Sequence, residues 1–305
     1  MSVIADAGLV AARPSLREAL QARVSQIVVA PSFALVLFFV YGFIFWTIYV
    51  SFSESRMLPN YTWAGIDRYV QLWNTPRWHT AITNLFLFGG SFIALCMAIG
   101  LALAVMLDQR IRAEGALRTI YLYPMALSFI VSGTAWKWIL NPGTGLEAYF
   151  KSLGWDVSIG WLTDSQMAIW CLVLAAVWQS SGFVMALFLA GLRGVDQEIV
   201  KAAYLDGATL PKIYMRIIIP SIRPVFLSAL VVLAHLAIKS FDLVKALTNG
   251  GPGTSTDLPA TFMHNFTFER NQLGIGAASA VMMLCTVMAV IVPYLYSELR
   301  GAKRG

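Results

Sequence analysis

The sequence predicts an all-α polytopic membrane protein: six transmembrane helices with a cytoplasmic helix-turn-helix between spans four and five. Three observations lead there. Of the 305 residues, 58% are hydrophobic and only 12% charged, with a mean hydropathy of +0.68, against roughly 25% charged in soluble domains. Six segments approach the roughly 20 apolar residues that a helix needs to cross a hydrocarbon core. The basic residues concentrate in alternate loops, which fixes an orientation.

Residues 1–26 form a polar N-terminal segment. Within it Ser15, Leu16, Arg17 and Glu18 have the spacing of a capping box, so a short amphipathic helix starts there. The first span covers 27–52. It is too long for the core of a signal peptide, and no small-residue cleavage site follows, so it is retained. The next spans cover 84–107, 119–140, 167–192, 224–239 and 274–297, and 298–305 is a short tail. The fifth is the shortest, with His235 inside it and Lys239 at its end. Under this topology the transmembrane domain is 27–297, and fourteen of the 22 Lys and Arg share one side with both termini. That side is assigned to the cytoplasm. It also carries the whole net charge of +6, so topology explains the basic balance without a nucleic-acid partner. Seven tryptophans, Trp63, Trp73, Trp78, Trp136, Trp138, Trp155 and Trp161, gather toward the other side as an aromatic belt.

No catalytic constellation emerges. Cys96, Cys171 and Cys285 lie in apolar runs and read as small core residues. The three histidines, His79, His235 and His264, have no metal-ligand spacing, and His235 reads as an interhelical hydrogen bonder. The cluster Gly250-Gly251-Pro252-Gly253 lacks the Gly-Lys-Ser/Thr of a phosphate-binding loop. All sixteen Asp and Glu fall in loops or at span ends. That argues against the alternative of a secondary transporter or channel driven by an ion gradient, which needs embedded carboxylates or a proton relay.

The loop at 195–224 is the polar exception. Ala202 and Ala203 favour a helix from Glu198, and Asp206-Gly207 ends it because glycine tolerates positive φ. Thr209 caps a second helix with Pro211 in its first turn. Tyr214, Ile217 and Ile218 form a stripe at i, i+3, i+4, and Pro220 and Pro224 end the helix. Physical reasoning leaves two readings open: a docking knob, or an interfacial loop that connects two spans.

Residues Ala202, Ala203, Asp206, Gly207, Ala208, Tyr214, Ile217 and Pro220 stand at the spacing of a known signature. The segment resembles the cytoplasmic Glu-Ala-Ala loop of permease subunits in ATP-binding cassette importers. Lys201 replaces the family's Glu, and Ile219 its Leu. Phe241-Asp242-Leu243, Thr248-Asn249-Gly250-Gly251-Pro252, Thr256, Leu258, Gly274 and Gly276-Ala277-Ala278 are similar to sugar-type permeases. Stretches such as TIYLYPMALS, TAWKWILNP and AAVWQSSGFVMA are most similar to permeases of bacterial glucose/mannose importers.

The resemblance implies a permease half in a bacterial inner membrane, with cytoplasmic termini. Its implied partners are a second permease, two ATPase subunits that bind ATP and Mg, and a soluble extracytoplasmic sugar-binding protein. This chain itself holds no cofactor and is not an enzyme. Glu198, Lys201, Ala202, Ala203, Asp206, Gly207, Ala208, Tyr214, Ile217 and Pro220 would couple to an ATPase, with Tyr214 and Ile217 supplying the buried contact. Lys212 and Arg216 would meet acidic rim residues. Met125, Phe129, Trp178, Gln179, Ser180, Phe183, Leu233, Ala237 and Ser240 would line the sugar path. A glucose-like monosaccharide is the implied cargo; a disaccharide, an α-glucoside or glycerol phosphate are alternatives.

Overall fold

The computed structural model describes residues 16–109, 112–155 and 158–301. Two units are distinguished, 1–49 and 50–305. The first helix, α1 (Leu16–Ser51), runs without a break through Pro31. Among the described residues no separate short helix precedes the first span, and the capping Ser15 lies outside them.

In the second unit, α2 (Asp67–Trp73) leads into the long α3 (Pro76–Asp108), which opens with proline in its first turn, where a missing N–H costs little. Helix α3 packs along α7 (Ala168–Arg193), and α11 (Arg223–Ile238) packs against both. Their shared core contains Phe88, Phe92, Leu172, Met185, Phe188 and Leu233. A second cluster sits at the start of α3. There Leu72, Trp78 and Ala81 meet Phe262 of α13 (Pro259–His264) and Ile275 and Ala278 of the last helix, α14 (Leu273–Gly301). Trp78, expected in the aromatic belt, is instead a buried core residue whose ring is tilted against that of Phe262, with centroids 5.0 Å apart.

Among the described residues, four helices are long and apolar enough to cross a membrane: Val28–Ser51, Pro76–Asp108, Ala168–Arg193 and Leu273–Tyr296. A bent pair, Leu210–Ser221 and Arg223–Ile238, meets at 66° and makes a fifth if both arms form one span. The expected third span is not one helix. It is split into α4 (Glu114–Leu122), a 3-10 turn at Tyr123–Ala126 and α5 (Phe129–Ile139).

The physical cause of that split lies partly in α7. Pro124 cannot donate to a continuing ladder, and Ser128 restarts the helix by accepting from Val131 N at 3.3 Å. The carbonyl freed at Leu127 accepts from Gln179 Nε2 of α7 at 2.8 Å. Irregular backbone at membrane depth persists only where protein satisfies it in this way. Close by, a Cβ on Gly182 would overlap the carbonyl oxygen of Tyr121. A Gly182→Ala variant should therefore lose about 1–3 kcal/mol by overpacking, readable as a lower melting temperature in detergent. An unchanged melting temperature would mean that the two segments can separate freely.

A second lock holds the loop before α13. Asp257 is fully buried and receives Arg77 Nε at 2.5 Å, while Thr261 Oγ1 donates to its other oxygen at 2.6 Å. Arg77 also donates to Asn265 Oδ1 at 2.9 Å. Asn84 Nδ2 donates to the carbonyls of Ser255 and Asp257, both at 3.0 Å. The start of α3 is thus tied to the segment before α13 and to the π-helical turn at Asn265–Glu269.

Candidate functional site

The polar loop folds as the expected helix-turn-helix. Helix α8 (Gln197–Leu205) starts with Asp196 Oδ1 accepting from Glu198 N at 2.9 Å, an N-cap bond. It ends in a Schellman motif: Ala208 N donates to Ala203 O and Gly207 N to Tyr204 O, both at 3.0 Å. Gly207 has φ +78°, a conformation that an L side chain rarely adopts. Helix α9 (Leu210–Ile213) follows, then a π-helical turn at Tyr214–Ile218 and α10 (Ile219–Ser221). Thr209 occupies the N-cap position in extended conformation, but its hydroxyl makes no capping bond, contrary to expectation.

Orientation within the loop differs from the sequence reading. Tyr214, expected to face a partner, is only 8% exposed, and Ile217 packs partly against the core. The Tyr214 hydroxyl donates to the Asp108 carboxylate at the end of α3 and accepts from Gln109 Nε2 at 3.0 Å. Arg193, at the end of α7, lies 3.9 Å from Asp108 and 2.7 Å from Glu114 of α4. The loop is therefore anchored by its tyrosine to the end of α3, which Arg193 in turn ties to α7 and α4.

What the loop shows outward is different. Leu205 at the end of α8 is 89% exposed, and Ile199, Tyr204, Leu210 and Met215 of the same loop are exposed as well. Sequence reasoning missed these residues. The available signal was Leu205 itself, a large apolar side chain whose helical neighbours one turn back, Lys201 and Ala202, offer it one charged chain and a single methyl group. Lys201 pairs with Glu198 at 2.8 Å, one helical turn away and fully at the surface, so the replaced residue makes a local ion pair. Ala202, Asp206, Lys212 and Arg216 are exposed, Ala203 is buried, and Ala208 and Pro220 are half-buried.

The expected path residues separate into two sets. Phe129 and Ser240 come together in a cavity of about 120 Å³, with Leu236, Lys239, Phe241 and Asp242. Lys239 and Asp242 line it without forming an ion pair. Near the break in the third segment, Met125 and Trp178 are exposed, and Trp178 meets Trp136 edge-to-face at 5.8 Å. By contrast Ser180, Leu233 and Ala237 are buried in the helix packing, and Phe183 is packed partly against it. In this conformation none of the four lies on an open path: Leu233 and Ala237 face the packing of α11 with α3 and α7, and Ser180 and Phe183 sit on α7 within it. Gln179 is also buried: its amide nitrogen is engaged by Leu127, while Oε1 has no protein partner. His235, expected to bond a neighbouring helix, is exposed on α11.

The family is shown by comparison. A family model described as the binding-protein-dependent transport system inner membrane component matches residues 97–301. A probable ABC transporter permease protein of Pyrococcus horikoshii is 39% identical over 277 residues, covering 90% of this chain and 95% of the relative. A xylose/arabinose import permease protein of Haloferax volcanii is 34% identical over 270 residues, covering 87% and 85%. The fold also matches a chain of a bacterial ABC transporter involved in the import of the acidic polysaccharide alginate. That match has a TM-score of 0.81 at 19% identity and covers 93% of this chain and 98% of the other. With its apolar helices and the match over two thirds of its length, this multi-pass membrane protein belongs to the family of inner membrane components of binding-protein-dependent transport systems, the permeases of ATP-binding cassette importers.

Proposed function

We propose that this chain forms one half of the translocation path of an ATP-driven importer for a sugar, with a monosaccharide such as glucose as cargo. The observation that carries this reading is the helix-turn-helix: a rigidly anchored segment with an exposed apolar tip at Leu205. Such a segment suits a cleft on a separate ATPase subunit, which supplies the nucleotide and Mg chemistry. A second permease, a second ATPase and a soluble binding protein complete the assembly. Both termini and the loop at 195–224 face the cytoplasm, as the distribution of Lys and Arg favours.

The sugar assignment rests on three supports. One relative is named for xylose and arabinose, and another, 28% identical, for trehalose and maltose. The exposed Trp178 and the Phe129–Ser240 cavity offer the ring faces and hydroxyls that a hexose needs. At about 120 Å³ the cavity is well short of the roughly 300 Å³ at which ligand pockets begin. This chain therefore contributes one wall, and its partner permease the other.

Uptake by vesicles holding the assembled importer should follow ATP hydrolysis and persist when an uncoupler removes the ion gradient. Uptake without any ATPase subunit would overturn the reading. At the tip, Leu205→Asp should weaken ATPase association by about 2 kcal/mol, near thirtyfold, measured by co-purification against graded ATPase. Unimpaired association would take Leu205 out of the docking surface.

A further inference from the structure

At the opposite end of α3 from the loop lies a cavity of about 510 Å³ whose bordering residues include Arg56, Arg68 and Arg270. The 33 residues of α3 separate the two ends by about 50 Å, so the cavity lies on the outer face in the proposed orientation. It is built, not incidental. Arg68 Nε donates to Ser53 O at 3.1 Å, and Arg68 Nη1 donates to Gln71 Oε1 at 2.9 Å. The backbone N–H groups of Leu273 and Gly274 donate to Arg56 O and Ser55 O at 3.2 and 2.9 Å. A Cβ at Gly274 would press on Ser53 O at 2.9 Å and Ser55 O at 3.2 Å, so the two walls meet only through glycine. The Arg270 guanidinium is held over the Phe266 ring at 4.8 Å.

The charge is unbalanced. Among the described residues, none of these three arginines forms an ion pair. Glu269, next to Arg270, is engaged by Lys245 at 2.8 Å. Glu54 borders an adjoining cavity with Arg56 and Arg68 and accepts from the Thr62 hydroxyl at 3.3 Å, so one carboxylate stands against three guanidinium groups. Three guanidinium groups around one concavity present planar donor forks, which carboxylates fit in bidentate geometry.

We propose that this arginine-lined cavity is a docking socket for acidic side chains on the soluble binding protein that delivers cargo. The inference rests on the importer reading above and adds a site and a partner chemistry to it. Complementary charge here would speed encounter and set orientation more than it would add raw affinity. Association should therefore weaken steeply with ionic strength.

The test uses the assembled importer in neutral phosphatidylcholine nanodiscs, with the purified binding protein that stimulates its ATP hydrolysis. Arg56→Glu with Arg270→Glu should raise the dissociation constant about 10- to 100-fold, near one decade per charge, and flatten its salt dependence. Arg68 is left in place because it holds Ser53. Unchanged basal ATP hydrolysis certifies the fold. If the double reversal fails to assemble, Arg56→Gln with Arg270→Gln replaces it, with a smaller loss expected. In the wild type, the binding protein should protect Arg56 and Arg270 from phenylglyoxal. Unchanged affinity and salt slope in the variant would overturn the socket. So would equal protection by phosphatidylglycerol with no binding protein, which would assign the site to lipid. A wild-type complex that no binding protein stimulates would instead overturn the importer reading, so the two failures are distinguishable.

Discussion

Arg77→Met is expected to cost about 3–5 kcal/mol, the cost of stranding a buried charge by removing its partner. The Asp257 carboxylate is 0% exposed, whereas Arg77 retains 21% exposure. The two halves of the pair should therefore respond unequally. Without Arg77, the Asp257 carboxylate keeps only the Thr261 hydroxyl and has no route to water. Without Asp257, the guanidinium still reaches Asn265 and solvent. Asp257→Asn should accordingly destabilise less than Arg77→Met, and Asp257→Asn with Arg77→Met should recover part of the single-mutant loss. Thermal unfolding in detergent measures all three. Equal losses, or a double variant no better than Arg77→Met, would show that the pair is not the lock described.

The second large effect is expected at Tyr214. Truncation to Ala removes a buried aromatic side chain and should cost about 3–5 kcal/mol. Tyr214→Phe keeps the ring and loses only the hydroxyl, leaving Asp108 to Arg193 and Gln109 without its bond to the tyrosine; about 1–3 kcal/mol is expected. Under the proposed function the two variants should also differ in coupling. Tyr214→Ala frees the segment from the end of α3, so ATP hydrolysis should continue while uptake falls. Tyr214→Phe should keep more of the uptake. If both variants transported like the wild type, the anchor would have no part in coupling.

Much of this architecture was legible in the sequence, for reasons that also mark the limit. Continuous apolar runs such as Pro76–Asp108 and Ala168–Arg193 declare themselves, since length alone decides whether a helix spans a bilayer. The turn at Asp206-Gly207 was equally plain, because one residue's conformational freedom sets it. The break at Tyr123–Ala126 was not, although Pro124 stood in view: what sustains it is Gln179, supplied by a helix some fifty residues later. The ion pair of Arg77 and Asp257 joins positions 180 residues apart, and no local pattern announces it. Tyr214 shows a third kind of limit. Periodicity identifies a stripe, but it does not say whether the stripe faces inward or outward. Here the hydroxyl found its partners at the end of α3, and Leu205 is the large apolar residue left exposed.

The 66° bend at Ile222 has a mechanical consequence. The arm from Leu210 to Ser221 is about 18 Å long and α11 about 24 Å, at 1.5 Å per residue. Joined through a single residue, they form a bell crank with unequal limbs. A rigid swing of the short limb about Ile222 carries the far end of α11 through a path about one-third longer. That far end is where Leu236, Lys239 and Ser240 border the small cavity with Phe129. Under the proposed function, a push of a few ångströms at the short limb would thus become a somewhat larger displacement of that wall, with the gain set by limb length alone.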